Sequence, residues 1–102
     1  MIVWAKKLYF SNNIRKSHKR LMKRVEANKL TFDLYCITYA ENEQNLLDII
    51  PVKELKFPHY RRISLTVIGL AKGAEEAKEL VARMIGEMYQ ETGDFRIKEY
   101  FT

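Results

Sequence analysis

Cysteine and histidine are scarce in this chain, and their scarcity excludes whole classes of site. Cys36 is the only cysteine among 102 residues, so neither an internal disulfide nor a zinc site built from several cysteines is possible. The two histidines, His18 and His59, are far apart and have no carboxylate at ligand spacing, so no metal motif is present. We expect no metal and no cofactor, and an unpaired thiol fits a reducing cytoplasm.

Long apolar runs are also missing. No stretch approaches the roughly 18 apolar residues of a membrane span, and the first ten residues lack the charged start, apolar core and small-residue cleavage site of a signal peptide. No repeat or low-complexity segment divides the chain. Because 47% of the residues are hydrophobic, the chain can bury a core. We therefore expect one cytoplasmic domain over residues 1–102, with no membrane partner.

The motifs that identify common reactions are absent as well. The four glycines form neither the P-loop pattern nor the dinucleotide-binding GxGxxG pattern. Cys36 is expected in the middle of a covered strand, where a thiol is inert. His18 lies on the apolar side of a predicted helix, and a histidine there is more often a core or boundary residue than a ligand. The sequence thus indicates no catalytic residue and favours a protein that is not an enzyme.

Positive charge is concentrated in residues 12–29. On a helix, Ile14, Leu21 and Val25 share one apolar face. The opposite arc carries six cations within ten residues, namely Arg15, Lys16, Lys19, Arg20, Lys23 and Arg24. The formal net charge of +5 also favours polyanionic partners. Such a face contacts phosphates in some proteins and is merely solvated in others, and the sequence leaves both interpretations open.

The rest of the pattern predicts four strands and a second helix. Residues 74–91 have the apolar stripe of an amphipathic helix with a glutamate-rich polar side, and Gly93 supplies its stop. Strand-like residues occupy 2–10, 31–40, 62–71 and 94–101. Within 2–10, the adjacent Lys6 and Lys7 break the alternation of faces and indicate a bulge or an inward-facing lysine.

The order of these elements predicts a ferredoxin-like α+β domain. Its four strands would form one antiparallel sheet in the order 4-1-3-2, with 62–71 in a central position and both helices on one face. Residues 41–60 would form an irregular excursion packed by its own apolar side chains, with Leu46–Ile50 as a short helical turn or a short strand. Because the two helices would be neighbours, the acidic helix should neutralise part of the basic arc.

The sheet face without helices would then be apolar and aromatic, and we predict that it is a homodimer interface. Exposed apolar patches mark contact surfaces, and tyrosine is typical of interface hot spots. On the predicted register this face carries Tyr35, Ile37, Tyr39, Ile68 and Tyr100. The same tyrosines could stack on unpaired bases, although the central strand lacks the aromatic residues of an RNA recognition motif.

The segment FPHYRR supports a third hypothesis. His59, Tyr60, Arg61 and Arg62 could bind a small anion, because arginine forks grip carboxylates and phosphates. The competing interpretation, a polar loop docked on the domain, is the one we favour.

Four segments resemble those of small bacterial proteins of uncharacterised function: LYCITYAENEQNLLDI, LKFPHYRR, VIGLAKGAEEAKELV and ETGDFRIKEYF. Together they cover most of the chain from residue 34 onward. The resemblance implies one compact bacterial domain and transfers no activity. The leading prediction is therefore a non-enzymatic association module acting as a homodimer. Nucleic-acid or other polyanion binding through the basic helix comes second, and a small-anion site at 59–62 comes third.

Overall fold

A computed structural model describes residues 2–29, 31–41 and 44–101. Its centre is a four-stranded sheet in the order β1-β4-β2-β3. The strands are Ile2–Phe10 (β1), Leu34–Tyr39 (β2), Leu47–Pro51 (β3) and Leu65–Lys72 (β4). β4 is parallel to β1 and antiparallel to β2, while β2 and β3 are antiparallel. The protein is therefore α+β with a mixed sheet, and the prediction of a strictly antiparallel sheet is wrong.

The central strand and the bulge follow the sequence pattern. β4 lies between β1 and β2, as expected for the most apolar strand-like segment. The β1–β4 register shifts between Trp4 and Tyr9, which places an irregularity at the two adjacent lysines. Three extra residues of β1 are accommodated there, since Trp4 pairs with Val67 and Tyr9 pairs with Gly69.

Helices cover both faces of the sheet. They are His18–Glu26 (α1), Pro58–Arg61 (α2), Ala74–Thr92 (α3) and Ile97–Phe101 (α4), with 3₁₀ helices at Asn12–Ile14 and Val52–Lys56. Leu21 and Val25 of α1 pack against one face, with Leu34, Cys36, Leu65 and Val67 of the sheet. Leu80 and Met84 of α3 pack against the other, with Ile37, Ile68 and Phe101. The prediction that both helices share one face is wrong.

The reason lies in the strands themselves. Neighbouring side chains of a strand point to opposite faces. Leu34 and Cys36 of β2 point toward α1, whereas Tyr35 and Ile37 point toward α3. Both sets are largely apolar, so each face of the sheet needs a helix to remove it from water.

Three segments differ from their predicted form. Residues 97–101 are helical, because Ile97 and Phe101, four residues apart, pack into the same cluster below α3. The predicted helix 12–29 begins as a 3₁₀ turn and becomes α-helical only at His18. Residues 47–51 of the predicted excursion form an edge strand, the second of the two forms considered for that stretch. Asn42 and Glu43 of the excursion lie outside the described residues.

The topology does not confirm the ferredoxin-like prediction. β1 and β2 run in opposite directions on either side of β4, although a split βαβ unit would make them parallel. The fourth strand is β3, which lies beside β2 at the sheet edge. The coarser statement, an α+β domain with a four-stranded sheet and helices, is what the structure shows.

Candidate polyanion-binding surface

The short helix α1 positions the basic side chains. Leu21 and Val25 are buried against the sheet, with exposed fractions of 4% and 5%. These two anchors lie on one face of the helix, so Lys19, Arg20 and Lys23 project into solvent. The sequence predicted this division of faces correctly for the α-helical part of the segment.

Five cations surround one shallow hollow of about 540 Å³. They are Lys19, Arg20, Lys23, Arg24 and Lys29, and Ala27 is the other described residue in the lining. We call these five cations the basic surface. Four of the six predicted site residues belong to it. Lys29 was not among the predicted site residues.

A change of chain direction brings Lys29 to the hollow. Asn28 adopts a left-handed conformation with φ of 58°, which asparagine tolerates better than most residues. The N–H of Lys29 then donates to the carbonyl oxygen of Arg24 at 3.0 Å. An asparagine directly after a helical pattern was the available signal, since asparagine commonly ends helices in this way.

Carboxylates are held away from the basic surface. Glu26 is the only acidic residue of α1, and its Oε1 accepts a hydrogen bond from Trp4 Nε1 at 2.7 Å. In the described ranges, no carboxylate lines the hollow. Among the described residues, Lys19, Arg20 and Lys23 form no ion pair. Arg24 is oriented by donation from its Nε to Thr31 Oγ1 at 3.2 Å.

The acidic helix does not neutralise this surface. α3 carries its glutamates on the opposite side of the sheet from α1. The sequence predicted that the two helices are neighbours on one face of the sheet. That prediction is wrong, because they cover opposite faces. The glutamates of α3 therefore lie across the sheet from the basic surface and do not line its hollow.

Arg15 and Lys16 lie outside the hollow. Both are exposed and belong to the turn that precedes α1. Arg15 lines a separate hollow beside His18 and Arg83. His18 is a half-buried boundary residue: its ring centroid lies 4.4 Å from that of Phe10, and its Nδ1 donates to the carbonyl oxygen of Arg15 at 2.6 Å.

The predicted interface residues do not form an open face. Ile37 and Ile68 are completely buried. Tyr35, Tyr39 and Tyr100 are partly buried against the same cluster, which α3 and α4 cover. The aromatic residues therefore lie on the opposite face of the sheet from the basic surface, and the two do not combine into one nucleic-acid site.

The residues at 59–62 do not converge on an anion. His59 Nε2 lies 2.9 Å from Glu41 Oε1. The imidazole thus already contacts a carboxylate of the protein, which would compete with an external anion. Burial raises the pKa of Tyr60, whose ring packs against the core on the α1 face. Tyr60 and Arg61 line a hollow of about 200 Å³ that also contains Glu26. Arg61 and Arg62 are exposed, and neither His59 nor Arg62 lines the hollow of Tyr60 and Arg61.

Other reactive groups are absent or shielded in the part of the chain that the structure describes. Cys36 is fully buried, and this burial raises the pKa of its thiol to about 12. Within the described ranges, no three His, Cys, Asp or Glu side chains gather where they could hold a metal ion. None of the described helices has the length and apolar character needed to cross a bilayer. Compared with known protein families, curated proteins and solved structures, the chain matches none.

Proposed function

We propose that the protein binds nucleic acid, or a polyanion of similar charge density, through the basic surface. The observation that carries this proposal is the arrangement of five cations around one hollow that no carboxylate of the described residues lines. Binding phosphates to these side chains would release counterions from the polyanion, which is the main driving force of such association.

The distribution of charge along the chain supports the same proposal. Residues 15–29 contain seven of the 18 lysines and arginines and only one carboxylate, that of Glu26. The formal net charge of the whole chain is +5, so the remainder is close to neutral. A concentrated positive patch attracts a polyanion to one side of the molecule, whereas evenly spread charge would not orient it.

The chemistry of the hollow favours contacts to the phosphate backbone. The described residues that line it are three lysines, two arginines and one alanine. Arginine forks and lysine ammonium groups donate hydrogen bonds to phosphate oxygens. Such contacts fix the position of a nucleic acid and carry no direct sequence information. We therefore propose binding without sequence preference and with strong dependence on salt.

The test is a fluorescence anisotropy titration of labelled oligonucleotides at several salt concentrations. Wild-type protein should bind, with log affinity falling linearly against log salt. The triple variant Lys19→Gln/Arg20→Gln/Lys23→Gln should bind more weakly. Its salt slope should be smaller by roughly 2 to 3, because each lost phosphate contact removes about 0.9 from the slope on duplex DNA.

The matched control is Lys53→Gln/Lys56→Gln/Lys98→Gln, which removes the same number of charges from exposed residues outside the basic surface and outside residues 59–62. This control should keep most of the affinity. An equal loss in both variants would show that only total charge matters. Absence of binding by the wild type at low salt would overturn the proposal.

The other two functional predictions have less support. Self-association through the face of Tyr35, Ile37, Tyr39, Ile68 and Tyr100 has lost its geometric basis, because α3 and α4 cover that face. A homodimer would need another surface. A small-anion site at 59–62 stays a prediction. It has less support because His59 already contacts the carboxylate of Glu41.

A further inference from the structure

The two edges of the sheet differ in how they are protected. β1 forms one edge, and its register shift and exposed lysines, Lys6 and Lys7, discourage pairing with another strand. β3 forms the other edge and pairs with β2 over all five of its residues without a register shift. It carries an exposed isoleucine, Ile49, with 36% of its surface accessible. Regular, apolar edges of this kind are sites of strand addition.

The hydrogen-bond phase of β3 identifies the groups that face outward. Ala40 N–H donates to the carbonyl oxygen of Leu46 at 3.5 Å. In an antiparallel ladder the bonded pairs recur at every second residue, so the main chains of Asp48 and Ile50 bond inward to β2. The outward-facing residues are Leu47, Ile49 and Pro51. The position of Pro51 agrees with this phase, because proline has no N–H to bond inward or outward.

We propose that two copies of the chain associate by antiparallel pairing of their β3 strands about a two-fold axis through Ile49. In this register the N–H of each Ile49 donates to the carbonyl oxygen of Ile49 in the second copy. The N–H of each Leu47 donates to the carbonyl oxygen of Pro51 in the second copy. These four hydrogen bonds use every outward donor of β3, so the missing N–H of Pro51 leaves no outward donor unpaired.

The side chains of β3 suit a second copy of the same strand. Asp48 of each copy would lie opposite Ile50 of the second copy. The two Asp48 carboxylates therefore do not face each other across the axis. Ile49 lies opposite Ile37 in the β2–β3 pair and therefore faces the α3 side. There the exposed side chains of the two Ile49 residues would pack against each other.

An apolar hollow extends the contact beyond the strand. It has a volume of about 490 Å³, and its apolar lining residues Phe32, Leu34, Tyr35 and Pro51 are accompanied by Thr31, Asp33 and Lys53. Phe32 is the most exposed large hydrophobic residue described, with 87% of its surface accessible. A two-fold axis through Ile49 brings one such hollow to each end of the paired strands. This continuity adds apolar area to a contact that a five-residue strand alone would leave small.

Sedimentation velocity from low micromolar to millimolar protein, at high salt to suppress charge effects, tests the proposal. Wild type should shift from monomer to dimer with concentration. Ile49→Pro removes the two central hydrogen bonds but leaves the pairing with β2 intact, and should weaken dimerisation at least about tenfold. Ile49→Lys, which needs no change of backbone, should do the same. The control Val3→Lys alters an exposed residue of the β1 edge and should still dimerise.

Thiol crosslinking tests the register. Bonded antiparallel pairs have Cα atoms about 5.5 Å apart, which places two Ile49→Cys thiols within reach of a short bifunctional thiol reagent. Ile49→Cys should therefore form a crosslinked dimer with such a reagent, whereas Phe57→Cys, at an exposed residue away from the strand edge, should not. A wild type that stays monomeric, or a dimer unaffected by both Ile49→Pro and Ile49→Lys, would overturn the proposal. Capture of an unrelated extended peptide by a monomeric wild type would overturn it in the same way.

Discussion

The helices α1 and α3 use their polar sides in opposite ways. In α3, Lys78 pairs with Glu75 at 3.4 Å, and Arg83 donates to the carbonyl oxygen of Phe10 at 2.8 Å. Glu91 accepts a hydrogen bond from Tyr100. In α1, the only acidic side chain turns toward Trp4, and three of the cations form no ion pair in the described part of the chain. Several polar side chains of α3 are therefore bonded within the molecule, whereas Lys19, Arg20 and Lys23 of α1 are exposed to solvent.

The same contrast holds for burial. α3 has 19 residues and buries Ala77, Leu80, Met84 and Met88, whereas α1 has nine residues and buries only Leu21 and Val25. A Gly93 cap with φ of 72°, whose N–H donates to Tyr89 at 2.7 Å, ends α3 where the sequence predicted. α3 therefore contributes more to stability, and substitutions in α1 should affect binding more than folding.

Two methionine truncations test this contrast most directly and should show the largest effect. Met84 in α3 is fully buried, and Met22 in α1 is only partly buried. Met84→Ala should lower the free energy of unfolding by about 3 kcal/mol, because it removes buried methylene groups and leaves a cavity. Met22→Ala should cost less than about 1.5 kcal/mol. Urea denaturation measures both, and equal losses would remove the distinction between the helices.

Two glycine substitutions should have opposite signs. A Cβ at Gly69 would lie 3.0 Å from Ile37 Cγ1 and 3.4 Å from Leu80, so Gly69→Ala should destabilise by roughly 1 to 3 kcal/mol through overpacking beneath α3. A Cβ at Gly86, within α3, would meet nothing within 4 Å. Gly86→Ala should stabilise by up to about 1 kcal/mol, because alanine is the better helix former. Thermal denaturation distinguishes the two variants. If Gly69→Ala is as stable as the wild type, the side chains of Ile37 and Leu80 can move aside for the added Cβ.

A pair of tyrosine substitutions gives the smallest effects. The hydroxyl of Tyr9 is buried near Glu87 and Tyr100 but has the geometry of a good hydrogen bond to neither, so Tyr9→Phe should stabilise by up to about 1 kcal/mol. Tyr100 OH accepts from Lys7 at 2.9 Å and donates to Glu91. Tyr100→Phe should therefore destabilise slightly. A loss of stability in Tyr9→Phe would mean that its hydroxyl has a partner in solution.

The pH dependence of Tyr9 has a definite sign. Burial raises the pKa of Tyr9 above its ordinary value of 10.0, so the unfolded state loses this proton first as pH rises. Ionisation of Tyr9 therefore does not affect the free energy of unfolding below about pH 10. Above that pH it lowers the free energy of unfolding of the wild type. In denaturation curves, the advantage of Tyr9→Phe over wild type should widen between neutral pH and pH above 10.

Local structure was largely predictable from the sequence, and the assembly of layers was not. Residues 2–10, 34–39, 65–72 and 74–92 form the predicted types of element, because long alternating or helical apolar patterns are strong signals. The segment 94–101 failed, since its apolar residues satisfy both a strand and a single helical turn. Nothing local to either helix encodes which face of the sheet it covers.

The same limit applies to the site. The cations of the basic surface were predictable because their helical spacing places them opposite Leu21 and Val25. Lys29 was missed because its position depends on the left-handed turn at Asn28. The prediction of an exposed aromatic face is wrong because of how the helices pack. Tyr35 and Tyr39 share one side of β2, as predicted, but α3 covers that side.

The central position of β4 constrains the order in which the chain can fold during synthesis. Among the described strands, β1 pairs with β4 alone, and residues 65–72 leave the ribosome long after residues 2–10. Both core clusters also contain β4 side chains. Neither core cluster can form completely until β4 has been synthesised. The basic segment of a growing chain is therefore exposed before the domain that positions it has folded.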